Sequence, residues 1–213
     1  MVDNRSRMSW EAHVRNCERL RGKFPWPTRL VVCFRHFSDA ENFWDGIKQR
    51  LAVFGLKISE EKSKIIAFGR KPQREANEQG KRCETFDFLG FTHYCDRSRK
   101  GKFKVGRKTS SKKFRQKVKN INNWLGYIRN RIKLKEWWPK LVSKLIGHYR
   151  YYGISGNMRG ICKFYYLTER LVLKWINRRS QKKSYNWNKF RRFLTFNTLP
   201  KPKIYRPISI LST

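Results

Sequence analysis

The sequence predicts an α+β protein: a β-α-β-β-β half-domain over residues 30–106, then a small α-helical bundle over residues 109–198. Three observations predict it. Short apolar runs bounded by turn residues occupy the first half. From Thr109 onward the apolar spacing changes from a period near 2 to one near 3.6. The charge changes at nearly the same place. Residues 1–95 hold 18 basic and 12 acidic side chains, whereas residues 96–213 hold 33 basic and 3 acidic ones.

The elements follow in order. Residues 30–34, LVVCF, read as a short apolar strand. Ser38 and Glu41 have the spacing of a capping box, in which each side chain satisfies the other's backbone N–H. The helix that follows would bury Ala40, Phe43, Trp44, Ile47, Leu51 and Phe54, with Gly55 just past its end. A turn at 59–62 leads to a second strand, Lys64–Phe68. Residues 70–82, polar and holding Pro72 and Gly80, read as a loop. Residues 85–94, TFDFLGFTHY, read as a third strand in which Gly90 marks a bulge or a close backbone approach. Lys102–Val105 is a short fourth strand. In the second half, Phe114, Val118, Ile121, Leu125 and Ile128 line one helix. Leu134, Trp137, Trp138, Leu141, Leu145, Tyr149 and Tyr152 line a second, which ends at Gly153. Asn157 is placed to cap a third. A short fourth spans Trp187–Phe196, and Pro200, Pro202 and Pro207 make residues 199–213 an extended tail.

The third helix is the most informative stretch. Ile161, Phe164, Tyr165, Thr168, Leu171, Val172, Trp175 and Ile176 fall on one stripe, and Arg159, Lys163, Arg170, Lys174 and Arg178 fall roughly opposite. A helix with one apolar and one cationic face packs on a core and turns positive charge outward. The whole chain carries 51 Lys+Arg against 15 Asp+Glu, a formal net charge of +36 in 213 residues. Such self-repulsion opposes compaction unless counter-anions are present. An aromatic content of 15% argues against a disordered basic tail. The expected partner is therefore a polyanion, with RNA first.

Other classes find less support. No apolar run approaches the ~20 residues that span a bilayer, and nothing apolar follows the charged N-terminus as in a secretory signal. No membrane partner and no secretion are expected. The five cysteines, Cys17, Cys33, Cys83, Cys95 and Cys162, are scattered with no C-x-x-C pair, which supports neither a zinc site nor a disulfide framework. His93 and Cys95 could share a strand face, but two ligand types do not make a metal centre. No metal or other cofactor is expected.

Several pieces of the chain resemble the C-terminal part of group II intron-encoded reverse transcriptases, or maturases. They are LVVCFRHFSDAENF (30–43), FGLKISEEKSKIIAFGR (54–70), FDFLGF (86–91), HYRYYGISGN (148–157), WINRRSQKK (175–183) and LPKPKIYRP (199–207). They occur in family order over most of the chain. The resemblance implies a partial palm over 30–106, a maturase-specific helical domain (the thumb, or domain X) over 109–198, and an unmatched segment over 1–29. It implies binding of structured group II intron RNA, assistance to its folding and splicing, and residence in a bacterial cytoplasm or an organellar matrix.

One departure matters as much as the match. The family carries Tyr-Ala-Asp-Asp directly before the strand matching 30–34, and its aspartates hold the Mg²⁺ ions of phosphoryl transfer. Here residues 26–29 are Trp-Pro-Thr-Arg, with Thr28 and Arg29 in place of the two aspartates. A guanidinium repels Mg²⁺, so no catalytic residue is assigned. Mg²⁺ would enter only if a second chain, a complementary reverse-transcriptase fragment, supplied the carboxylates. Lys62 and the Phe88, Leu89, Gly90 and Phe91 run match polymerase motifs that are vestigial without metals. The residues expected to contact RNA are Lys112, Lys113, Lys117, Arg150, Tyr151, Arg159, Lys163, Arg170, Lys174, Arg178, Arg179, Lys182 and Lys183. Tyr151 is the expected base-stacking ring, and Trp137 and Trp138 are expected in the core. A basic structural component of a ribonucleoprotein is the blander alternative.

Overall fold

The computed structural model describes residues 31–60, 63–179 and 185–207. These residues form an α+β fold with the element order α1 (Phe37–Val53), α2 (Arg70–Glu78), β1 (Phe86–Phe88), β2 (Phe91–Arg97), β3 (Phe103–Thr109), α3 (Ser111–Ile128), α4 (Leu134–Tyr152), α5 (Met158–Asn177) and α6 (Trp187–Phe196). The sheet is antiparallel in the order β1-β2-β3. Phe86 pairs with His93, and Phe91 with Thr109. Thr28, Arg29, Leu30, Lys62, Lys182 and Lys183 lie outside the described residues.

The core belongs to the helices. Ile121, Leu125 and Ile128 of α3 meet Trp137, Leu141, Leu145 and Tyr149 of α4, and Ile161, Phe164, Val172 and Ile176 of α5. Phe190 of α6 and Leu199 of the tail close the cluster. Each large apolar side chain buried in this way contributes roughly 1.5–3 kcal/mol relative to exposure. The α4 span and its termination at Gly153 follow the apolar period. Ser110 caps α3 by accepting from the Lys113 N–H, and Asn186 caps α6 by accepting from the Lys189 N–H. Residues 199–207 form neither helix nor named strand, consistent with their prolines. Gly153 O accepts from the N–H groups of Tyr205 and Arg206, which fixes residues 199–207 against the α4–α5 turn.

Asn157 does not cap α5 with its side chain. Its Oδ1 accepts from the Thr109 N–H, and its Nδ2 donates to Thr109 Oγ1 and to Tyr152 O. One fully buried amide thus joins the end of β3, the end of α4 and the start of α5. Buried polar groups are tolerated when they are satisfied in this way.

The first half departs further from expectation. Residues 31–34 and 64–68 form no strand. A strand needs a hydrogen-bonded neighbour, and the described sheet offers them none. The β-α-β-β-β order is therefore replaced by α-α-β-β-β. Helix α1 starts at Phe37 with His36 at the N-cap, so Ser38 lies inside the first turn and the Ser38–Glu41 box does not form. The face expected to be buried is at most half-buried: α1 buries no residue fully, although Phe43 meets Phe34. Its C-terminus does follow the glycine rule. Gly55, at φ +68°, donates to Ala52 O while Leu56 donates to Leu51 O, the paired bonds of a Schellman motif.

Residues 70–78, expected to be loop, are α2. Pro72 sits in its first turn, where a missing N–H costs nothing, and Gly80 ends it with the same paired bonds. Residues 85–94 are not one strand but a hairpin. Leu89 and Gly90 turn it with φ values of 47° and 82°, the two left-handed positions of a tight hairpin turn. Gly90 is also a close approach, because a Cβ there would lie 3.1 Å from Tyr152 Oη. The strand predicted over 102–105 extends to Thr109. Cys83 and Cys95 are brought together as free thiols with their sulfurs 3.2 Å apart. Burial and the neighbouring Cys83 raise the Cys95 thiol to about 11. Among the described residues no group of three metal-ligating side chains occurs, and no helix is long and apolar enough to cross a membrane.

Candidate nucleic-acid interface

Helix α5 carries the two predicted faces. Ile161, Phe164, Thr168, Val172 and Ile176 are buried, with Leu173 added, while Tyr165, Leu171 and Trp175 are half-buried at the margin. Arg159, Lys163, Arg170, Lys174 and Arg178 are exposed, and so is Arg179 beyond the helix end. Lys112, Lys113 and Lys117 are exposed on α3, and Arg150 is exposed on α4. Among the described residues, the ion pairs are Lys48–Glu60, Arg74–Glu78 and Lys104–Asp96. None involves a side chain of α3 to α6. Among the described residues, no ion pair offsets this cationic surface.

Several of the cations lie on aromatic rings. Three of them surround the Trp175 indole: Arg129 at 4.9 Å, Lys174 at 5.1 Å and Arg178 at 5.4 Å from the ring centroid. The indole N–H donates to Asn122 Oδ1 at 3.0 Å, which ties α5 to α3. The helical period alone placed Trp175 in the apolar stripe and did not single out Arg129, because Arg129 reaches this site from the end of a different helix. Lys163 lies over Phe114, and Arg170 over Tyr166. Each such contact holds a long side chain at the surface at a cost in solvation that the ring offsets.

Tyr151 has another use. Its hydroxyl donates to Leu89 O at 2.7 Å, and its ring stacks on Phe91 with centroids 5.8 Å apart. Phe91 also contacts Tyr152. The hairpin carrying Phe88, Leu89, Gly90 and Phe91 thus seats the end of α4. Leu89 itself is exposed. Beside this hairpin a cleft of about 560 Å³ runs between Lys64, Asp87 and Thr92 on one side and Ser111, Lys112 and Arg115 of α3 on the other.

One buried titratable group bears on stability. His148 of α4 stacks on Phe164 with centroids 3.6 Å apart, and its Nε2 has no partner. Burial, and then the Lys117 ammonium, push its pKa down to about 4. The unfolded chain takes up a proton near pH 6.5 and the folded chain does not. Stability is therefore full above pH 6.5 and is lost as pH falls toward 4, by about 3 kcal/mol. Urea denaturation from pH 7.5 to 4 should show this loss, and His148→Phe should flatten it. An unchanged pH profile in that variant would contradict the assignment.

No family model matches the chain, and no curated protein or solved structure matches it either.

Proposed function

We propose that the protein binds structured RNA through the outward faces of α3 and α5, as a maturase-like chain that assists the folding of a group II intron. The observation that carries the reading is the α5 cationic stripe: five exposed cations opposite a buried apolar stripe, with no acidic partner among the described residues. The maturase assignment rests on the quoted motifs. In that reading the β1–β2 hairpin and the elements before it stand for the rear of a palm, and α3 to α6 stand for the thumb. Binding of a folded intron RNA in preference to a duplex DNA of equal length supports the proposal. Preference for the DNA contradicts it.

The same reading assigns no DNA synthesis to the chain by itself. Thr28 and Arg29 offer Mg²⁺ no carboxylate. A primed RNA template with Mg²⁺ and deoxynucleotides should show no extension above a control without protein, and extension above that control would refute the assignment. A second reading, a fragment completed by another chain that supplies the aspartates, is favoured by one observation. Among the described residues, Val31, Val32, Phe34, Phe37 and Phe54 form an exposed apolar surface around α1. Mg²⁺-dependent extension that requires both chains would establish it.

A further inference from the structure

A cleft of about 380 Å³ lies between α5 and α6, within the size range of small-ligand sites. Two large rings border it, Tyr166 of α5, 56% exposed, and Trp187 of α6, 43% exposed. Two guanidinium groups border it as well, Arg170 and Arg191, and neither has a carboxylate partner among the described residues. Fully buried Phe190 backs the cleft onto the core. Glu169 also lines the cleft, one turn after Tyr165 on the same helix.

The rings are held on a fixed frame. Asn177 at the end of α5 accepts from the Tyr185 N–H and donates to Tyr185 O, which anchors the chain entering α6. The Asn186 cap sets the first turn of α6, where Trp187 is the first helical residue, and the Trp187 ring meets Phe190 edge-on at 6.0 Å. Arg170 lies 5.9 Å from the Tyr166 centroid. Exposed rings on rigid helices, flanked by unpaired guanidinium groups, have the chemistry of a single-strand binding platform, in which bases stack on aromatics and cations follow the phosphates.

We propose that the α5–α6 cleft takes an unpaired nucleobase of the bound RNA, with Tyr166 and Trp187 supplying ring faces and Arg170 and Arg191 holding the adjoining phosphates. The inference rests on the RNA-binding reading above and adds to it the kind of RNA recognised. A base inside an A-form duplex has both faces covered by its neighbours, whereas loops and bulges offer bases that can be splayed out. Tyr151 lies outside this cleft, with one ring face on Phe91 and its hydroxyl donating to Leu89 O.

The test uses the full chain and two labelled RNAs, a single-stranded oligonucleotide and a blunt duplex of equal phosphate number. Tyr166→Ala with Trp187→Ala should weaken single-strand binding about ten- to a hundred-fold. Duplex affinity and both salt slopes should stay within error. Tyr166→Phe with Trp187→Phe should restore single-strand binding. If the double alanine variant fails to fold, Tyr166→Ala alone, at the more exposed ring, should give a single-strand defect of several-fold. Equal losses on both RNAs, or none on the single strand in a folded variant, overturn the cleft while leaving the RNA-binding reading in place. Wild-type protein that binds neither RNA overturns both.

Discussion

RNA affinity should fall about 10³–10⁵-fold when salt rises from 50 to 200 mM, if roughly 6–10 phosphates are neutralised. The size follows from the surface. The exposed cations Lys112, Lys113, Arg115, Lys117 and Lys119 of α3 and Arg159, Lys163, Arg170 and Lys174 of α5 fall within that count, and none is paired to a carboxylate among the described residues. Binding would then release condensed counterions rather than break internal ion pairs. Filter binding across a salt series measures the slope directly. A nearly flat response would mean that the charge excess is not the binding surface.

Phe164→Ala should destabilise the helical half by about 3–5 kcal/mol, a large fraction of a small domain's stability. Phe164 is fully buried, stacks on His148 and meets Phe114 edge-on, so its removal opens a cavity where α3, α4 and α5 converge. RNA binding should be lost with the fold. Trp175→Ala should cost less, because Trp175 is only half-buried and packs at the margin of the core, where its ring also carries cations. Chemical denaturation orders the two variants. Equal losses would place Trp175 deeper than its exposure indicates.

The helical half was legible because its faces repeat. Strong 3.6-residue periodicity places Ile121, Leu125, Leu141, Leu145, Phe164 and Val172 on the core without any knowledge of partners. The cationic stripe of α5 is periodic too, and it was read for the same reason. The first half was not legible, because short apolar runs signal a strand only where a neighbour exists. Residues 31–34 and 64–68 have none in the described sheet. The hairpin was missed because Leu89 stands at a left-handed turn position that leucine rarely takes. Helix α2 was hidden by Pro72, which reads as a breaker but sits in the first turn, where its missing N–H costs nothing.

The site shows the same division. Single-helix features were visible, and features assembled between elements were not. Arg129 meets Trp175 from another helix, Tyr151 spends its hydroxyl on Leu89, and Tyr166 faces a cleft completed by α6. Asn157 takes the N-cap position of α5 as expected, but its side chain joins three elements rather than capping, a role that depends on Thr109 lying beside it.

The most direct test of the account is the triple variant Arg170→Gln, Lys174→Gln and Arg178→Gln. Glutamine keeps helix propensity, and all three side chains are exposed, so the buried stripe is untouched. Thermal stability should change little, because the lost ring contacts are offset by removing like charges four residues apart. The account predicts weaker RNA binding, with the salt slope reduced by nearly three, about one for each lost phosphate contact. A folded triple variant that binds RNA with wild-type affinity and slope would contradict it.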